Sequence, residues 1–350
     1  MRDRAQREGA PVTETPDYAG LGPGQVLAAL DAVGLRGDGR LLQLNSYENR
    51  VFQVFLEDGR VVVAKFYRPG RWSDAQILEE HGFALELAAE EVPVVPPLTL
   101  AVADDGVTLC GDPPTLAHAM GHRFAVAARC AGREPPLEAP GTLRRIGRFV
   151  GRLHAVGRRR DFVHRLHMDP ARDAAQARDR VLAAGFVGAV ELPAWRAAAD
   201  AAVVAIADAF ARHGPCATLR LHGDCHAGNV LWRPDEGAGA PHVVDLDDAV
   251  QGPAVQDLWM LLAGDARAMA QQLDELLRGY EDFADFDDRE RALVEPLRTL
   301  RMLRHAAWLA SRWDDPTFPI HFPFFGSAAY WSQHASQLDE QRQAMAATAR

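Results

Sequence analysis

Leu221-His222-Gly223-Asp224-Cys225-His226-Ala227-Gly228-Asn229-Val230, followed by Val244-Asp245-Leu246-Asp247-Asp248, is the stretch on which the fold of this chain turns. An Asp and an Asn five positions apart between apolar flanks imply an exposed loop. Two short strands are predicted after it, 229–232 and 242–246, joined by residues 233–241. Such a hairpin returns Asp245 to the neighbourhood of Asp224 and Asn229. The result is an oxygen-rich site suited to Mg²⁺, a hard cation that prefers carboxylate, amide oxygen and water. Clustered acids repel one another unless a metal neutralises them, and nucleotide phosphates complete the coordination of such a metal. His222, Cys225 and His226 crowd five positions with no second Cys or His cluster at suitable spacing. They are therefore expected to orient the loop and not to bind zinc, with a redox-sensitive Cys225 thiol as a side possibility.

Upstream, Lys65 is the only lysine, and every other basic residue is an arginine. A compact ammonium retained against that bias suits a tight site facing phosphate oxygens, where a guanidinium fork does not fit. Its neighbours read as an antiparallel meander of strands over 41–46, 51–56 and 60–67, with Glu57-Asp58-Gly59 as a turn. Ser73 and Gln76 have capping-box spacing and open a helix that runs to about Glu90 and stops before Pro93. On that helix Ile77, Leu78, Ala84, Leu85, Leu87 and Ala88 share a face with Glu80 at its edge, while Glu79 and Glu86 point away. Glu80 is thus placed to partner Lys65.

A further β-like stretch runs from Pro96-Pro97 to about Leu116, and Gly- and Pro-broken sequence to Gly141 reads as a hinge. From Thr142 the pattern is mostly helical, over 142–156, 174–184, 195–213, 254–262, 271–283 and 288–313. Trp259, Trp308 and Trp313 fall in apolar helical patterns and are expected in the core. Phe318, Phe322, Phe324 and Phe325 read as a segment closing the second lobe, or else as an exposed docking patch. Arg152, Arg158, Arg159 and Arg160 form a basic edge, either solvated or placed to steer an acidic substrate. The expected organisation is a tail over 1–22, an N-terminal nucleotide-binding lobe over 23–118, a C-terminal catalytic lobe over 119–340 and a tail over 341–350.

At 350 residues the chain suits two lobes around one cleft. Its 48% hydrophobic and 25% charged residues are those of a packed globular protein, and a net charge of −10 argues against tracking nucleic acid. No apolar run has the length of a membrane span, and the four cysteines have no paired spacing, so a cytoplasmic monomer with reduced thiols is expected.

A strand lysine, an acid on the next helix, Asp-x-x-x-x-Asn on a loop and an Asp after a hairpin are, in that order, the parts of a phosphoryl-transfer kinase. His222-Gly223-Asp224 and Val244-Asp245-Leu246-Asp247 resemble the aminoglycoside and choline phosphotransferase branch of the protein-kinase-like fold. Leu44 to Val51, Lys65-Phe66-Tyr67-Arg68-Pro69, His222 to Asn229 and Gly252 to Trp259 closely resemble the bacterial stress response kinase A family, whose members are described as serine/threonine protein kinases. The similarity runs from about Gln25 to Gln337. It implies a two-lobed α+β fold with an N-terminal antiparallel sheet plus one helix and a larger, mainly helical C-terminal lobe. Carried over by position, Lys65 contacts the α/β-phosphates of ATP and pairs with Glu80, and Ser46 contacts the nucleotide. Asp224 accepts or orients the substrate hydroxyl proton, and Asn229 and Asp245 hold Mg²⁺. Two departures stand out: no G-x-G-x-x-G covers the phosphates, and Asp247 replaces the glycine of an Asp-Phe-Gly. The implied reaction moves the γ-phosphate of ATP to serine or threonine of proteins in a stress response. A small-molecule kinase acting on an amino alcohol, amino acid, sugar or aminoglycoside is the alternative, and a non-catalytic nucleotide-binding scaffold a third.

Overall fold

A computed structural model of the chain describes residue 18 and residues 20–233 and 240–348. Most of the expected tail over 1–22, and residues 234–239 of the stretch expected to join the two strands, lie outside these residues. Tyr18 does not behave as a tail: its hydroxyl donates to the Glu48 carbonyl at 2.8 Å.

The first lobe opens with α1 (Pro23–Asp31) and the meander β1 (Gly37–Leu44), β2 (Arg50–Leu56) and β3 (Val61–Phe66). Along β3, Val62, Ala64 and Phe66 are buried in alternation with Val61, Val63 and Lys65. The two-residue period therefore sends Lys65 to the face away from the core beneath α1. Helix α2 (Asp74–Ala89) follows, opened by the expected capping box in which Ser73 Oγ accepts from the Gln76 amide. Then come β4 (Thr108–Cys110), β5 (Leu116–Ala119) and β6 (His122–Ala128), giving an antiparallel sheet in the order β1-β2-β3-β6-β5-β4.

The sheet thus runs past position 118 into the stretch expected to be a hinge, and β6 sets Ala125 opposite Lys65. The hairpin that joins β5 to β6 turns at Met120-Gly121, both with positive φ. Methionine seldom takes the first of those positions, so the turn carries no sequence signal.

The second lobe contains α3 (Thr142–Gly157), α4 (Pro170–Ala184) and α5 (Leu192–His213). The short strands β7 (Leu219–Leu221), β8 (Val230–Arg233), β9 (Ala240–Val243) and β10 (Val250–Gly252) come next, and then α6 (Gln256–Trp259), α7 (Ala266–Tyr280), α8 (Val294–Ser311), α9 (Thr317–His321) and α10 (Ala328–Thr348). Helices α3 and α7 cross at glycines: a Cβ on Gly147 would lie 1.9 Å from the Leu276 carbonyl, and one on Gly279 1.9 Å from that of Arg144. Phe83 and Leu87 of α2 join the core formed by α3, α7 and the β7–β10 strands, so α2 belongs to both lobes. A second core gathers α4, α5, α8 and α10 around Trp195 and Trp331.

The expected tail over 341–350 is helical to 348, with Met345 buried. Its apolar positions are mostly alanine, which blurs the helical stripe. Phe318 and Phe325 are buried and close the second lobe as expected, with Phe324 left exposed. The arginines after α3 are not a free basic edge: Arg159 pairs with Glu90 at 2.7 Å, Arg160 with Glu86 at 2.8 Å, and Arg152 meets the Glu91 carbonyl at the end of α2. No helix among the described residues is long and apolar enough to cross a membrane.

Candidate active site

The loop between β7 and β8 is shaped by a buried anchor. Asp257 of α6, fully buried, accepts from the amides of His222 at 2.7 Å and Gly223 at 2.8 Å and meets His154 Nε2 of α3 at 3.1 Å. Gln256 donates to the Gly223 carbonyl at 2.9 Å. Gly223 has φ +86°, and a Cβ there would lie 2.1 Å from the Asp248 carbonyl. Only glycine lets the loop pass so close to the strand end. The His222 ring meets the Val244 carbonyl at 3.0 Å, and His226 accepts from the Gly228 amide, so both histidines orient the loop. Asn229 Nδ2 donates to the Asp224 carbonyl at 2.9 Å, which ties the Asn229 amide to the turn that carries Asp224. Cys225 is buried, and burial pushes its thiol well above the ordinary range, so it is an inert core residue and not a redox-sensitive one.

The β8–β9 hairpin brings Asp245 back as expected, with Val243 opposite Val230 and the Val244 amide donating to the Asn229 carbonyl. Asp245 sits at φ +64°, a conformation an aspartate adopts more readily than most residues. Lys65 Nζ donates to Asp245 Oδ1 at 2.8 Å and stands 3.8 Å from Asp247 Oδ1. Burial would lower the Lys65 pKa, but Asp245 and Asp247 raise it well above the ordinary value, so the ammonium stays charged.

Glu80 does not form the expected ion pair with Lys65. It lies inside the α2 interface at 6% exposure, not at its edge, and its Oε2 has no hydrogen-bond partner. Two carboxylates at the hairpin end hold the ammonium closer than one on α2 can. Burial therefore dominates Glu80 and pushes its pKa to about 7, although Lys65 pulls it down. Ser46 lies in the turn between β1 and β2, half-buried, with no hydrogen bond to the other candidate side chains.

Asp247 is more deeply held than its neighbour. Asn49 Nδ2 donates to its Oδ2 at 3.1 Å, and Arg71 Nη1 approaches the same oxygen at 2.5 Å while reaching Asp248 at 2.7 Å. Burial raises its pKa, but Lys65 and Arg71 outweigh this and hold it at about 2. Its Oδ1 remains buried without a hydrogen-bond partner. That orphaned oxygen beside the half-exposed Asp245 carboxylate gives an all-oxygen donor set, and this set fits Mg²⁺.

Asp224 is met by Arg301 Nη1 of α8 at Oδ1 and by His226 at Oδ2, 3.4 Å away. Burial would raise its pKa, but the His226 hydrogen bond and the Arg301 charge hold it well below the usual carboxylate range. Sequence reasoning missed Arg301, Arg71 and the anchor Asp257. Asp257 lay within the motif Gly252–Trp259, whereas Arg301 and Arg71 stand in no motif.

The phosphotransferase enzyme family model matches residues 40–294. Stress response kinase A of Salmonella choleraesuis (strain SC-B67) is 43% identical over 92% of each chain, and "Serine/threonine protein kinase RdoA" of Salmonella typhimurium (strain LT2) is 42% identical over the same share. Among solved structures, a microcompartment-associated aminopropanol kinase superposes with TM-score 0.66 at 18% identity over 91% of this chain and 97% of its own. Amicoumacin kinase hAmiN, in complex with AMP-PNP, Ca²⁺ and Ami, superposes with TM-score 0.63 at 17% identity over 92% of each chain. These neighbours share the protein-kinase-like fold, with its antiparallel sheet in the first lobe and helices in the second. The chain is a phosphotransferase that belongs to the stress response kinase A family.

Proposed function

We propose that the protein transfers the γ-phosphate of ATP to serine or threonine hydroxyls of other proteins, with Mg²⁺, as part of a bacterial stress response in the cytoplasm. The observation that carries this reading is the run of contacts that links Lys65 to Asp245, the Asp245 strand end to Asn229, and Asn229 to Asp224, in a chain 42% identical to a relative named serine/threonine protein kinase.

Asn229 and Asp245 would hold the metal, with Asp247 beside them. When bound, Mg²⁺ neutralises phosphate charge and screens the triphosphate from the surrounding acids. Lys65, charged and sheltered, holds phosphate oxygens, and Asn49 with Arg71 keeps Asp247 fixed behind it. The turn around Ser46 covers the nucleotide with side chains where other kinases use glycine amides. The acceptor oxygen attacks the γ-phosphorus in line, the bond to the β–γ bridging oxygen breaks, and ADP departs. The hydroxyl proton passes to Asp224, whose low pKa makes it an orienting acceptor that takes the proton late.

Aminopropanol and amicoumacin kinases share the fold, which keeps a small hydroxylated amine as the second reading. Transfer from γ-labelled ATP with Mg²⁺ to a pool of proteins and, separately, to small hydroxylated amines tests both. Label on protein serine or threonine, lost by roughly 10²-fold or more in Asp245→Asn, is the expected result. Label confined to the amines would move the assignment to the second reading.

A further inference from the structure

We propose that the acceptor is a serine or threonine flanked by acidic side chains, recognised in an arginine-lined, methionine-walled cavity next to Asp224. This rests on the protein-acceptor reading above and names the class of segment it takes.

The cavity, about 550 Å³, lies between the residues after α6 and the facing sides of α8 and α10. Arg298, Arg301 and His305 line it from successive turns of α8, and no Asp or Glu is among its lining residues. Each guanidinium already meets one carboxylate, Arg301 that of Asp224 and Arg298 that of Glu295, and burial keeps His305 neutral, so what the cavity offers an anion is unspent guanidinium N–H donors and not a net positive charge. The Arg298 guanidinium stands over the Trp259 ring at 5.8 Å, so that face of the aromatic wall is already taken by a cation.

Arg301 spends only Nη1, on Asp224 Oδ1 and Met260 Sδ, which leaves Nε and Nη2 without a partner among the described residues. Arg298 shares Nη1 with Glu295 and keeps Nε free in the same sense. A carboxylate two or three residues from the acceptor hydroxyl can take these donors in bidentate fashion. In doing so it draws Arg301 off Asp224 and opens a carboxylate oxygen to the hydroxyl. An acceptor without its own anion leaves Asp224 covered. Met260, Met269 and Met302 supply the remaining wall, and unbranched thioethers adapt to varied side chains as a polypeptide site requires.

The test uses the full chain with γ-labelled ATP and serine peptides identical except for flanking glutamates, alanines or lysines, beside glycerate and small amino alcohols. Acidic over basic peptides should be preferred about tenfold or more in kcat/KM, the ratio expected when about 1.4 kcal/mol separates the acceptors. Arg298→Gln should cut that ratio at least about threefold through the peptide KM, with the KM for ATP unmoved. Arg298→Glu should erase or invert it. Because Glu295 would oppose a new glutamate, the neutral variant keeps the comparison open if the reversed one does not fold. Equal or reversed preference among phosphorylated peptides overturns the proposal while the protein-kinase reading stands. Transfer to glycerate or amino alcohols with every peptide inert overturns both.

Discussion

Lys65 and Glu80 show how two residues of one sequence pattern come to differ in state. The alternation of β3 delivers Lys65 to the hairpin end, where Asp245 at 2.8 Å keeps it charged. Glu80, one helix away, is buried with one oxygen lacking a hydrogen bond, close enough to Lys65 to feel its charge but not paired with it. Its folded pKa of about 7 exceeds the ordinary value of 4.5, so its contribution is fully present below about pH 4.5 and is lost as pH rises through 7. Above pH 7 the chain holds a buried carboxylate with incomplete compensation. Glu80→Gln, which cannot ionise, is therefore expected to stabilise the fold at pH 8 by about 2 kcal/mol and to change little at pH 5. Thermal unfolding at the two pH values checks this, and an equal shift at both would remove ionisation as the cause. The same variant should lose phosphotransfer if Glu80 takes up Lys65 during the reaction.

Elements carry the site through anchors that lie outside it. Glu79, which helix periodicity points away from the α2 core face, accepts from three consecutive amides, Val163 at 2.5 Å, His164 at 2.7 Å and Arg165 at 2.6 Å. Arg165 then donates to the carbonyls of Ala249 at 2.8 Å and Asp247 at 2.6 Å, so α2 is tied through one loop to the segment after the hairpin that carries Asp245 and Asp247. Asp257 does the same for the loop that carries Asp224, from a four-residue helix. Asp257→Asn places an amide nitrogen against two backbone donors and the His154 ring, with an expected loss of about 2–3 kcal/mol for the broken charge-assisted bonds. Under the proposed mechanism the loop carrying Asp224 should loosen with it, lowering kcat about tenfold or more while the KM for ATP moves less. Unfolding in urea and steady-state kinetics together check this, and lost stability with unchanged kcat would confine Asp257 to the core.

At the scale of the molecule, what was legible in the sequence was local: a lysine on an alternating strand, a capping box, Asp-x-x-x-x-Asn before a hairpin. What was not legible arrives from distant chain, such as Arg301 on Asp224 or β6 beside β3 after an unsignalled turn at Met120, because ion pairing and strand order leave no period in the residues themselves. The farthest-reaching of these contacts closes the turn between β1 and β2 onto α8. Glu48 accepts from Trp308 Nε1 at 2.5 Å and Arg312 Nε at 3.0 Å and pairs with Arg68 Nε at 3.1 Å, while Asp315 receives Arg68 at 2.8 Å and Arg50 at 3.2 Å. Tyr47 packs its ring 5.1 Å from Phe322 and 5.3 Å from His321, so the segment expected to cover the phosphates is held by the second lobe. Because this clasp lacks glycine amides and works through side-chain charges, its members should act as one unit. Glu48→Gln and Arg312→Gln are each expected to weaken Mg·ATP binding about tenfold, and the double variant little further, leaving a coupling of about 1 kcal/mol or more. Calorimetric titration of the wild type and the three variants measures that coupling. Strictly additive losses would mean that Glu48 acts on the nucleotide alone, with α8 serving only as a wall of the second lobe.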